Sequence, residues 1–121
     1  MKRIILSLLF VSLITATGQS QEDKKLFAMI YSKGTAWNDT LSTSQQPYFG
    51  HHVQFLQQLR KDEKIVMGGR YSDLGFMILK AKDMETAQQI VAQDSSVIID
   101  TFKAELFEFT PFYEGCIEIE K

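Results

Sequence analysis

Cysteine occurs once in this 121-residue chain, at Cys116, so no internal disulfide can staple it. With no Cys near the N-terminus, a lipid anchor at that end is not expected either. Cys116 lies between Gly115 and Ile117 in a late alternating segment. No activating base can be assigned to it from sequence, so it is expected to be a partly buried small residue. Basic runs are also missing: 13 Lys and Arg stand against 15 Asp and Glu, for a net charge of −2. Nucleic acid and anionic membrane surfaces, which need clustered positive charge, are therefore poor partners. The longest apolar run, Ile4 to Ala16, is broken only by Ser and Thr and is thirteen residues long. A spanning helix needs about 20 apolar residues. Lys2 and Arg3 precede this run and Ala16-Thr17-Gly18 follows it, the three parts of a signal peptide. Residues 1–18 are accordingly expected to direct export to a periplasm or the exterior, with no membrane attachment after cleavage. The rest carries 11 basic and 15 acidic residues.

What is abundant is apolar. Hydrophobic residues make up 45% of the chain, with nine Phe and four Tyr, enough for one small packed domain and against disorder. After a polar leader at 19–24, Leu26 to Ser32 is apolar on both faces and predicts a central strand covered on both sides. Residues 33–46 read as a long polar loop, a length often tied to function. Pro47 suits a first helical turn, and Phe49, His52, Val53, Leu56 and Leu59 then recur on one helical face, ending near Asp62 or Glu63. Lys64–Gly69 and Gly75–Ala81 predict two strands joined by a hairpin through "RYSDL". Asp83 caps a second helix with Glu85 in its first turn and a stripe of Met84, Ala87, Ile90 and Val91, running to about Gln93 or Asp94. A helical turn in "SSVIID" follows, then a strand over Lys103–Thr110 and an edge strand over Cys116–Glu120. The order is β-α-β-β-α-β, an α+β ferredoxin-like pattern with both helices on one sheet face. Its aromatic-rich strands should not leave the other face in water, so a homodimer through the sheet faces is expected.

The only histidines, His51 and His52, adjoin on the first helix. His52 falls on the apolar face, and His51 is rotated about 100° from it. Neighbours on a helix diverge, so the two are not a metal pair. Gly68-Gly69 lacks the surrounding pattern of a phosphate loop, and the Ser-rich loop offers no identifiable partner for a nucleophile. Asn38-Asp39-Thr40 fits a glycosylation sequon, relevant only in a eukaryotic host.

Several segments together resemble the YCII-related proteins, small dimeric α/β-barrel domains. "KGTAWN" is similar to a Lys-Gly-Pro-x-Trp motif of exported members, and "QQPYFGHHVQFLQQL" to a Gln-Pro, His and apolar-helix sequence. "KIVMGG", "METAQQIVAQDSS" and "KAELFEFTPF" resemble the following strand, second helix and last strand, so the likeness covers roughly Lys25 to Phe112. The resemblance implies that His52 and Asp94 form the active-site pair. Three positions depart from the pattern: Ser95 and Arg70 stand where Pro is usual, and Glu63 where Gly often follows the first helix.

Histidine is the side chain whose proton affinity lies nearest neutral pH, and a carboxylate in reach makes it a usable general acid or base. Two functions are open. One is a small exported enzyme using His52 and Asp94 on a small molecule, without cofactor or metal; the other is a non-catalytic dimeric module binding a small ligand or partner in the same pocket. In the bland alternative, His52 bonds a backbone carbonyl and Asp94 merely ends a helix. Trp37 is a candidate lid or equally a plug for the sheet edge. Arg70 places a positive charge near the pocket mouth, suited to an anion. Tyr71, Ser72 and Asp73 line the site or simply make the hairpin turn, Ser72 being the substrate-binding candidate among them.

Overall fold

The computed structural model describes residues 25–113 and residue 115. The expected signal peptide, the polar leader, Cys116 and the edge strand over Cys116–Glu120 lie outside the described residues.

Strand β1 (Lys25–Lys33) forms the middle of the sheet, as its two apolar faces require. It pairs antiparallel with β3 (Leu74–Ala81) on one side and β4 (Phe102–Glu108) on the other, and β2 (Ile65–Tyr71) pairs with β3. The strand order is β2-β3-β1-β4. Helix α1 (Phe49–Lys61) connects β1 to β2, while α2 (Met84–Val91) and the short α3 (Ser95–Ile98) connect β3 to β4. This is the α+β ferredoxin-like arrangement. One sheet face presents Phe27, Met29 and Tyr31 of β1, Met77, Leu79 and Ala81 of β3, and Ile65 of β2. Leu59 of α1 and Ala87, Ile90 and Val91 of α2 complete that core. The opposite face carries Leu26, Ala28 and Ile30, half-buried, beside exposed Met67, Tyr71 and Phe107.

Several boundaries differ from the periodicity. Pro47 stands in the turn before α1, not within its first turn: Phe49 N–H bonds the Gln46 carbonyl, and Tyr48 takes φ 59°. Proline at the second position and a positive φ at the third is the pattern of a type II turn. At the other end, Lys64 N–H reaches Leu59 O and Glu63 N–H reaches Arg60 O, a Schellman closure with Glu63 at φ 57°. Helix α2 stops at Val91 because Gln93 and Asp94 bond back only three residues, to Ile90 and Val91. The hairpin is tighter than "RYSDL" suggests, since Tyr71 faces Leu74 and only Ser72 and Asp73 turn. Asp83 caps α2, its side chain accepting from Thr86 N–H at 2.8 Å.

The loop between β1 and α1 is built rather than loose. The side-chain amide of buried Gln46 donates to the Asn38 carbonyl at 2.7 Å and accepts from Asn38 N–H at 2.9 Å. Gly34 N–H bonds Thr101 O, and Ala36 N–H bonds Asp100 O. A Cβ at Gly34 would stand 2.0 Å from the Asp100 carbonyl oxygen, so only glycine allows this close approach.

Candidate active site

Helix α1 carries His52 one turn from its start, on the side facing the sheet, and the residue is 7% exposed. His51 is exposed, its ring 5.2 Å from that of Tyr48. Asp94 reaches the same point from the other end of the fold. It is the N-cap of α3, accepting from Ser96 N–H, and is fully buried. Ser95 takes the first helical position, where proline is favoured but not required, so the cap forms without it.

His52 Nδ1 lies 2.7 Å from Asp94 Oδ2. The same oxygen accepts from the Tyr31 hydroxyl at 3.1 Å. Oδ1 accepts from Ser96 N–H at 3.0 Å and from the Ser96 hydroxyl at 2.7 Å. The four acceptor positions of a carboxylate are thus filled. Burial pushes the Asp94 carboxyl up, but the bonds from His52 and Ser96 together outweigh it and hold the group below the usual carboxylate range. An ionised Asp94 can only accept, so Nδ1 carries a proton in this network and Nε2 is the nitrogen left to exchange one. Tyr31 is shifted the other way: burial, then the charge of Asp94 and the bond to it, raise its hydroxyl well above the ordinary phenol.

Nε2 of His52 makes no hydrogen bond among the described residues. No buried side-chain nitrogen or oxygen is left without a partner there, so this atom has access to solvent. It opens on a cleft of about 270 Å³ lined by His52, Tyr31, Phe49, Phe102, Trp37 and Met77 and by the charged Lys33, Arg70 and Asp73. The imidazole packs 4.8 Å from the rings of both Tyr31 and Phe102. Trp37 stands 5.5 Å from Phe102, its indole N–H donating to Asp39. The Lys33 ammonium pairs with Asp39 at 2.8 Å and lies over the Trp37 ring.

Of the residues the sequence singles out, His52, Trp37 and Arg70 border this cleft, with Asp94 directly behind His52. Ser72 does not; its hydroxyl donates to Asp73 within the turn, and Asp73 takes the place at the cleft. Tyr31 and Ser96 are participants that sequence reasoning missed. Both left a trace. A phenol ending the buried row Phe27, Met29, Tyr31 needs a polar partner, and Asp94-Ser95-Ser96 has the spacing of a capping carboxylate and its donor. Among the described residues no cluster of three His, Cys, Asp or Glu is placed to hold a metal ion.

The fold and the site together define an α+β domain in which a buried His–Asp pair backs a small aromatic cleft. Residues 25–110 match the YCII-related domain, and the chain belongs to that family. No curated protein and no solved structure matches the chain.

Proposed function

We propose that this domain is a small exported enzyme that moves a proton through His52 Nε2. The observation that supports this reading is the pairing of Nδ1 with a buried, ionised Asp94 while Nε2 faces the cleft. Asp94 orients the ring and compensates the charge that develops when Nε2 takes a proton, as expected of a carboxylate behind a general base. Protonated, the same nitrogen donates, so the residue serves as acid or base toward a small molecule seated against Phe102 and Trp37. The enzyme works as a homodimer joined through the open sheet face, where Ile30, Met67 and Phe107 supply apolar surface. Export rests on the charged start, short apolar run and small-x-small site of residues 1–18.

The test is an NMR pH titration of both imidazoles, repeated in Asp94→Asn. The expected result is that substitution changes the response of the His52 ring resonances more than that of the exposed His51. If His52 ignores the substitution, the acid–base reading loses its basis. Saturable ligand binding in the cleft without turnover would then identify a binding module.

A further inference from the structure

Gly75 sits inside strand β3, where glycine weakens pairing and usually marks a bulge or a close approach. Neither applies here. Its φ is not positive, and the nearest atom a Cβ would meet is Tyr31 Cβ at 3.4 Å, an ordinary contact. The irregularity of the β2–β3 ladder lies elsewhere, between Ile65 and Met67. What distinguishes Gly75 is its place. It is directly opposite Arg70 on one side and Tyr31 on the other, and all three line the cleft. Arg70 and Tyr31 are therefore two strand spacings apart, about 10 Å, with no side chain rising between them.

The two ends of this gap differ chemically. At one end is His52 with its free Nε2, edge-on to Tyr31. At the other is Arg70, exposed and without a carboxylate in ion-pairing distance among the described residues. Lys33, the other cation of the cleft, is already paired with Asp39 at 2.8 Å. Asp73, the one acidic lining residue, accepts from the Ser72 hydroxyl at 3.3 Å. Apolar rings of Phe49, Phe102 and Trp37 form walls. The volume, about 270 Å³, falls just below the ~300 to 1,000 Å³ of sites for drug-sized ligands.

We infer that the cleft takes a small, flat organic anion, with its anionic group on Arg70, its apolar body over Gly75, and its far end at His52 Nε2. Gly75 is glycine because the ligand occupies the space a side chain would fill. The inference rests on the reading that the His52 cleft is the working site, and it names the ligand class of that site.

The test reads binding, not turnover. Benzoate, phenylacetate and salicylate are titrated into the protein beside their neutral amides, and the His52 ring resonances are followed by NMR. At least one carboxylate should bind saturably, shift His52, and exceed its amide by about tenfold, the scale of one charge-assisted contact. Arg70→Gln should erase that preference. Gly75→Val should abolish binding of carboxylate and amide alike while leaving the thermal midpoint close to wild type. Should Val disturb folding, Gly75→Ala supplies a smaller obstruction in the same place. Amides binding as well as acids, an unchanged preference in Arg70→Gln, undiminished binding in a folded Gly75 variant, or no binding by any acid would overturn the inference. If carboxylates bind through Arg70 while His52 titrates independently of Asp94, the acid–base proposal falls and this one stands.

Discussion

Asp94 accepts four hydrogen bonds in a fully buried position, so the cost of removing each donor depends on what is left behind. His52→Ala strands the carboxylate against the remaining donors, and urea denaturation should show a loss of about 3–5 kcal/mol, the range for breaking a buried pair from one side. Tyr31→Phe removes a single donor and should cost about 1–2 kcal/mol, because His52 still engages the same oxygen. The two groups also act at opposite ends of the pH scale. Asp94 is held below its unfolded value, so the stability it contributes is present above about pH 4 and is lost as pH falls through its depressed folded pKa. Tyr31 is held above its unfolded value, so its contribution is complete below about pH 10 and drains away as pH rises beyond that. Denaturation midpoints across pH should therefore show a shallower acid limb in Asp94→Asn and a shallower alkaline limb in Tyr31→Phe. Native absorbance at 295 nm, measured near pH 11, should be the same in Tyr31→Phe and wild type, because the buried phenol stays protonated there.

The elements place these residues through their ends more than their middles. Helix α1 closes with a Schellman turn whose left-handed position is Glu63, where glycine would carry no steric penalty. Glu63→Gly should raise stability by about 1 kcal/mol, read as a higher thermal midpoint with unchanged ligand binding. Gly34 is the reverse case. Its α-carbon is pressed against the Asp100 carbonyl, and that contact fixes the loop that brings Trp37 to Phe102. Gly34→Ala should lower the thermal midpoint and blue-shift or red-shift the fluorescence of the single tryptophan; an unaltered spectrum and midpoint would show that the loop does not depend on this approach. Short α3 matters for its N-cap rather than its length, since the cap geometry at Asp94 is what turns a carboxylate toward α1.

At the scale of the whole molecule, the sheet has one face under helices and one face with apolar side chains open to water. Met67, Tyr71 and Phe107 are 40%, 52% and 53% exposed on that open face. Soluble domains rarely tolerate such a patch unless another surface covers it. Sedimentation should give twice the mass of one chain. Ile30→Asp, which puts a charge at the middle of β1 on this face, should yield monomers with the His52–Asp94 pair intact, because that pair lies on the helix-covered side. Monomeric wild type at micromolar concentration would sink the dimer proposal.

Local periodicity was enough for the four strands, the two main helices and their order, because burial of one face imprints itself directly on residue spacing. It also turned His52 inward and His51 outward, since adjacent helical residues diverge by about 100°. It left the ends of elements blurred, at Pro47, Val91 and the Ser72–Asp73 turn, where hydrogen bonds to neighbours three residues away decide the matter. Nor could spacing join His52 to Asp94, 42 residues apart; a family likeness implied that pairing, and the antiparallel sheet with its packed helices produces it. The placing of Gly75 between Arg70 and Tyr31 emerges only when three strands stand side by side, because register across a sheet depends on pairing between distant segments and leaves no signature in any one of them.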